Sequence, residues 1–279
     1  MSGPADMTGP NCLPLKQPWE GIGKMTKLAV VTGGSTGIGR HLVSAFAAAG
    51  HAVAFNYLGD DDVAQSLVAE VKTAGGQIMA LRCDVGLGPD VARFYEAVTS
   101  WFGGAPDVLV NNAGIQTWSP LLDLDEECWD NVIRTNLKGC FLNTKKAARL
   151  MIEAGKAGSI INIGSGCNKL AFPNLVDYSA SKGGIEQFTK VSAVELGPHG
   201  IRVNCVAPGA IATERTRDEA AGYSDKWAGI TPLRRVGTPA DVAGPVLFLA
   251  GEAASFVTGQ TIWVDGGVFS QAAWPPYEV

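Results

Sequence analysis

Short apolar runs recur along this chain at intervals suited to a buried sheet. Leu28–Val31, Ala52–Tyr57, Ile78–Cys83, Asp107–Asn111, Ser159–Gly164, Ile201–Val206 and Thr261–Asp265 are each four to six residues long, and most are rich in Val, Ile and Ala. Such runs read as strands covered on both faces. Between them lie longer stretches of helical period, near 38–49, 62–74, 89–102, 126–154, 175–196 and 239–250. Strand and helix in alternation predict βαβ units, hence an α/β fold with a parallel sheet flanked by helices on both faces. No linker or repeat interrupts residues 27–270, so one doubly wound domain over 25–270 is expected. Residues 1–24 carry Pro4, Pro10, Pro14, Pro18, Gly21 and Gly23 and read as a flexible extension, with Met25 as an alternative start. The tail, 271–279, holds Trp274-Pro275-Pro276-Tyr277, which cannot continue a helix and suggests docking on another surface.

Composition narrows the class. The chain has 279 residues, 46% of them hydrophobic, enough for one large core. A net charge of −5 argues against a nucleic-acid footprint. No apolar run approaches the roughly 20 residues that span a bilayer. Cys12, Cys83, Cys128, Cys140, Cys167 and Cys205 form no C-x-x-C pair and no metal-ligand spacing. They read as buried or incidental thiols of a reducing, cytoplasmic compartment, with no metal expected. His41, His51 and His199 lie beside no nucleophile motif, which leaves a Ser-His-Asp hydrolase without support.

The chemistry centres on Tyr178-Ser179-Ala180-Ser181-Lys182. On a helix, Tyr178 and Lys182 lie one turn apart on one face. A phenol titrates near 10 unperturbed, and a neighbouring ammonium favours its ionised form, which suits proton exchange. Alone, such a pair is usually a solvated couple. Upstream, Thr32-Gly33-Gly34-Ser35-Thr36-Gly37-Ile38-Gly39 follows the first strand and opens the first helix. Glycines there permit a tight turn and close approach of a pyrophosphate to the helix N-terminus. Asp84, after the third strand, is read equally as an acceptor for an adenine amino group or as a loop cap. Asn111-Asn112-Ala113-Gly114 ends the fourth strand, where small and amide residues let a cofactor lie close.

T-G-x-x-x-G-I-G, N-N-A-G, Ser165 thirteen residues before Y-x-x-x-K, and Pro208-Gly209 after the sixth strand occur in that order. Together they resemble the short-chain dehydrogenase/reductase family over about residues 27–269. The likeness is greatest to glucose-type sugar 1-dehydrogenases and 3-oxoacyl-carrier-protein reductases, which share Ala207–Thr213 and Val264-Asp265-Gly266-Gly267. The resemblance implies a seven-stranded Rossmann sheet in the order 3-2-1-4-5-6-7 and a catalytic set of Asn136, Ser165, Tyr178 and Lys182. Tyr178 would exchange the proton, and Lys182 would favour its phenolate and hold the nicotinamide ribose. Ser165 would hold the substrate oxygen, and Asn136 a relay water. Cofactor contacts would come from Gly33, Ser35, Thr36, Gly37, Ile38 and Gly39, then Tyr57, Asp84 and Val85. Asn112, Ala113 and Gly114 would follow, with Tyr178, Lys182, Pro208, Gly209, Ile211 and Thr213; Thr213 reads equally as a helix cap.

Tyr57 stands where NAD-binding relatives carry an acid, and Thr36 where NADP-binding ones often carry a base. Asp60, Asp61 and Asp62 would disfavour a 2′-phosphate if they faced it, and are also favoured at a helix N-terminus. This reading favours NAD, with use of both cofactors open. Cys167, Asn168, Lys169 and Asn174 make the segment after Ser165 polar and point to a sugar or polyol, with a 3-oxoacyl substrate as the alternative. Residues 211–235 read as a mobile lid, and Trp118 and Trp227 as packing residues before ring-stacking ones. A non-catalytic dinucleotide sensor on the same fold is the reading of another class, set back by the intact catalytic set. Relatives imply a homotetramer, with helices 126–154 and 175–196 at one interface and the tail at a subunit boundary.

Overall fold

Alternate residues of the first strand face opposite layers, and the core divides accordingly. In β1 (Leu28–Val31), Ala29 and Val31 join one apolar cluster while Leu28 and Val30 join the other. The computed structural model describes residues 26–219 and 221–272. The expected extension, 1–24, and all but two residues of the expected tail, 271–279, lie outside the described residues.

The chain continues through α1 (Gly37–Ala48), β2 (Ala52–Tyr57), α2 (Asp61–Thr73), β3 (Ile78–Arg82), α3 (Gly88–Phe102) and β4 (Val108–Asn111). It then forms α4 (Glu126–Val132), a π-helical segment (Ile133–Lys138), α5 (Gly139–Glu153) and β5 (Gly158–Ile163). The rest is α6 (Val176–Leu196), β6 (Ile201–Pro208), α7 (Glu214–Glu219), α8 (Tyr223–Ile230), α9 (Pro239–Ala250) and β7 (Thr261–Val264). The strands pair in parallel in the order β3-β2-β1-β4-β5-β6-β7, as expected.

One cluster packs Leu42, Val43 and Phe46 of α1, Leu67 and Val71 of α2, and Val242, Val246 and Leu249 of α9 against the sheet. The other packs Val91, Phe94 and Val98 of α3 with Ala147 and Met151 of α5. Phe46 and Phe94 are fully buried, and each such side chain contributes about 2–3 kcal/mol of transfer free energy. Strand order reverses between β1 and β4, and there the carboxyl ends of the strands open a crevice for ligands.

The expected single helix over 126–154 is broken at Ile133–Lys138. Asn136 explains the break. Its side-chain amide, buried in the interior, bonds both main-chain groups of Ile115 and the Ser181 hydroxyl, which fixes the wider π turn.

Candidate active site

A cavity of about 1170 Å³ runs along the carboxyl ends of the strands. At one end stands the glycine turn. Gly33 has φ +62°, and a Cβ there would stand 2.9 Å from Ala113 Cα, so the turn and the end of β4 are in backbone contact. Asn112 Nδ2 donates to the carbonyls of Thr32 and Gly33 at 3.0 Å, and Asn56 Oδ1 accepts from Gly33 N at 3.0 Å. Thr36 caps α1 without a side-chain hydrogen bond, and the first turn of α1 holds no acid. The helix end therefore offers main-chain N–H groups to an anion, which fits a dinucleotide pyrophosphate.

Every expected cofactor contact borders this cavity: Gly33, Ser35, Thr36, Gly37, Ile38, Gly39, Tyr57, Asp84, Val85, Asn112, Ala113, Gly114, Pro208, Gly209, Ile211 and Thr213. Ser165, Tyr178 and Lys182 border it too, while Asn136 lies behind the wall. Lys182 is buried, donates to Ile163 O at 2.7 Å, and sits 5.4 Å from the centre of the Tyr178 ring. A Cβ on Gly114 would stand 3.3 Å from Asn136 Oδ1 and 3.7 Å from Lys182 Nζ, so these groups meet at one point.

Ser165 is held by a neighbour whose part the sequence did not disclose. Asn168 Oδ1 accepts from Ser165 N at 3.0 Å, and Ser165 Oγ accepts from Cys167 N at 3.3 Å, a reciprocal capping box on one turn of helix. Asn168 Nδ2 continues to Cys205 Sγ at 3.6 Å. Behind the wall, Asn111 Nδ2 donates to Thr144 Oγ1 at 2.9 Å and to Asn162 Oδ1 at 2.8 Å, and Asn162 Nδ2 to Thr189 Oγ1 at 2.9 Å. This buried amide chain ties β4, β5 and α6 together beneath the catalytic end.

Several expectations need adjustment. Asp84 is engaged by Arg134 Nη1 at 2.7 Å and by Gly86 N at 2.8 Å, the behaviour of a loop cap, although it still borders the cavity. Thr213 does both things expected of it: Oγ1 accepts from Thr216 N at 3.2 Å at the start of α7, and the residue borders the cavity. Of the three aspartates after Tyr57, only Asp60 lines the cavity, and its carboxylate caps α2 by accepting from Asp62 N at 2.7 Å. Asp61 is bound by Arg82 at 3.3 Å and by the Tyr57 phenol, which burial and Asp61 together push up from its ordinary value. Asp61 and Asp62 therefore belong to the first turn of α2 rather than to a ribose pocket, which leaves only Asp60 to favour NAD over NADP.

Of the four residues read as a sugar pocket, Cys167 lines the cavity and the other three turn elsewhere. Asn168 serves the capping box, Lys169 lies over the Trp263 ring, and Asn174 adopts φ +66° in a turn. None of the three lines the cavity. Trp118 is 60% exposed and borders it, so it is not a packing residue; Trp227 borders it beside Tyr223. Within the segment read as a mobile lid, Glu214–Glu219 form α7 and Tyr223–Ile230 form α8. Of the cysteines, burial pushes the Cys83 and Cys140 thiols up to about 12 and Cys205 to about 11, as inert buried thiols behave. Cys128 is exposed, and Cys12 lies outside the described residues. Among the described residues no cluster suited to a metal occurs, and no helix is long and apolar enough to cross a membrane.

Comparison with known proteins places this geometry. The family model described as enoyl-(acyl carrier protein) reductase matches residues 33–269. The chain belongs to the short-chain dehydrogenase/reductase family. It is 41% identical over 245 residues to the 3-oxoacyl-acyl-carrier-protein reductase of Staphylococcus epidermidis, covering 88% of this chain and 100% of that one. It is 42% identical over 249 residues to the (3R)-3-hydroxyacyl-CoA dehydrogenase of Mus musculus, covering 87% of this chain and 96% of that one. The solved gluconate 5-dehydrogenase of Burkholderia cenocepacia, in complex with NADP and tartrate, superposes with a TM-score of 0.83 at 35% identity, covering 89% and 98% of the two chains. This short-chain dehydrogenase/reductase is thus an NAD(P)-linked oxidoreductase of the CH–OH/carbonyl pair.

Proposed function

We propose that this protein transfers a hydride between a nicotinamide dinucleotide and a secondary alcohol or its ketone, with Tyr178 as the proton-exchanging group. The convergence of Ser165, Tyr178 and Lys182 on one cavity, with the Lys182 ammonium buried beneath the Tyr178 ring, carries this reading. The bound dinucleotide supplies the hydride chemistry. The chain does the rest. The glycine turn and the N-terminus of α1 hold the pyrophosphate, and Asn112 and Gly114 let the cofactor lie against β4. Lys182 binds the nicotinamide ribose. Ser165 Oγ and the Tyr178 hydroxyl orient the substrate oxygen, and Tyr178 gives or takes its proton. Asn136 keeps the π segment and Ile115 in register beside Lys182. Replacing Tyr178 with Phe is expected to retain nucleotide binding and reduce kcat by a factor on the order of 10² to 10⁴. Undiminished turnover would refute the role.

For the cofactor, we infer that both NAD and NADP are accepted. Arg40 and Ser66 border the adenosine end of the cavity and could meet a 2′-phosphate, but Arg40 is already bound to Glu70 at 2.5 Å and to Val63 O at 3.2 Å. Asp60 beside them accepts from Asp62 N at 2.7 Å and sets a carboxylate at the same end of the cavity. These influences oppose each other, so affinities for NADH and NADPH are expected to agree within about tenfold, roughly 1.4 kcal/mol. Fluorescence titration with each nucleotide measures this.

The sugar or polyol reading keeps the support of the gluconate 5-dehydrogenase at 35% identity, and the 3-oxoacyl reading that of the Staphylococcus reductase at 41%. We also propose one catalytic domain over 25–270, a cytoplasmic setting consistent with the buried free thiols, and assembly as a homotetramer.

A further inference from the structure

The wall next to Ser165 is made of rings. Gly166 has no side chain, and the Phe269 ring occupies that space: a Cβ on Gly166 would fall inside contact distance of Phe269 Cε2 and 3.0 Å from Cδ2. Phe172 meets Phe269 edge to face at 5.7 Å and 85°. Phe269 is brought there from far along the chain, by the parallel pairing of β7 with β6. The next layer is α8, drawn onto the same segment by Gln271 Nε2 donating to Ile230 O at 2.7 Å and Leu233 N donating to Gly266 O at 3.2 Å. On α8, Trp227 and Tyr223 lie 6.3 Å apart, and both border the cavity. Across the mouth, the bridge between Ser119 and Leu175 sets the exposed Trp118 beside this wall.

We propose that the substrate carries a flat apolar ring, aryl or fused alicyclic, directly beside its carbonyl or carbinol carbon. The inference rests on the oxidoreductase reading above and names the substrate class for that site. Aromatic side chains contact such a ring through face and edge. A polyol presents hydroxyls on both sides of the reacting carbon; against Phe269 and Phe172 they would lose water without gaining partners, a penalty of about tenfold or more for each. A thioester on a polyanionic carrier meets a different obstacle, because the exposed turn and helix start after Trp118 carry Asp123, Asp125, Glu126 and Glu127. In the reducing direction, the hydride of the reduced nicotinamide forms the new C–H bond and the Tyr178 proton the new O–H bond. The ketone becomes a secondary alcohol and the nicotinamide is oxidised.

The test uses the full chain, after nucleotide titration has established that NADH or NADPH binds. Turnover is compared for 1-phenylpropane-1,2-dione and 1-tetralone, for gluconate and aldoses with the oxidised cofactor, and for an acetoacetyl thioester. The ring-bearing ketones are expected to show kcat/KM at least about tenfold above the others, as a small cluster of ring contacts would provide. Phe269→Leu should cost the ring ketones about fivefold to tenfold, chiefly through KM, and Phe172→Leu, which removes the ring that Phe269 meets edge to face, should likewise cost them severalfold more than it costs gluconate or the thioester. Equal or better turnover of gluconate, an aldose or the thioester overturns the inference and leaves the oxidoreductase reading intact, as does an equal loss on ring and non-ring substrates in both Leu variants. Absence of nucleotide binding would overturn both.

Discussion

Lys182 is fastened to Ile163: its ammonium donates to that main-chain carbonyl at 2.7 Å, from a side chain only 3% exposed. Ile163 ends β5 two residues before Ser165, so one hydrogen bond joins the helix that carries Tyr178 to the strand that delivers the serine. Lys182→Met keeps most of the volume and removes the charge and the donor. Turnover is expected to fall by about 10² or more, with weakened nucleotide binding as the ribose partner is lost. Lys182→Arg should not restore it, because a guanidinium is too large and too rigid for this site. Steady-state kinetics with nucleotide titration checks both, and a Met variant with normal kcat would remove Lys182 from the mechanism.

The glycine turn makes a prediction of its own through Gly39. A Cβ at that position would collide with the Gly33 carbonyl and stand 2.5 Å from Asn112 Nδ2. Gly39→Ala must therefore open the turn or break the tie to β4, and nucleotide affinity should fall at least about tenfold with a lowered Tm. Gly244→Ala is the companion measurement. Gly244 lies inside α9 with open space around it, and alanine there should add about 0.5–1 kcal/mol of stability. Equal effects of the two substitutions would contradict the packing described.

Acid stability should have a local source at the start of α9. Asp241 closes a capping box, accepting from Thr238 N at 2.7 Å, and is clamped by both Arg235 nitrogens. Hydrogen bonds from Arg235 and Thr238 hold its carboxyl far below the ordinary carboxylate range. A carboxylate depressed in the folded state contributes stability that is present above about pH 4 and is lost as pH falls toward the folded value. Asp241→Asn should lower stability at pH 7 by about 1 kcal/mol, a typical cap, and the gap to the parent protein should narrow as pH falls below about 4. Urea melts at pH 7 and pH 3 measure the difference; a gap that is the same at both would show that the charge has no part.

Much of this was legible from the chain. Leu28–Val31 announces a strand to the residue because an all-apolar run between turn signals leaves few alternatives. The residues expected to contact the cofactor border one cavity, because the glycines of their motifs are required by backbone geometry. What escaped was nonlocal or rotational. Phe269 reaches Gly166 only because β7 pairs with β6, and no spacing along the sequence records that meeting. Asp61 looks the same whether it binds a ribose or a neighbouring Arg82; only the orientation of one side chain decides. The π turn at Ile133–Lys138 has the same apolar period as an ordinary helix, and its cause, Asn136 bound to Ile115, is again a tertiary contact.

The homotetramer expected from relatives can be tested through α5 and α6. Val194 is 79% exposed and Val191 47% exposed on α6, and Phe141 of α5 is 42% exposed while meeting Phe188 of α6 edge to face. These side chains give the paired helices an apolar outer face, which a self-complementary two-fold contact would bury. Light scattering on the purified chain should therefore report four copies. Val194→Glu would place a charge in that contact and should shift the population toward smaller species, since an unpaired carboxylate is costly to bury. A monomeric parent protein would sink the assembly, and a tetramer unmoved by Val194→Glu would relocate the interface away from α6.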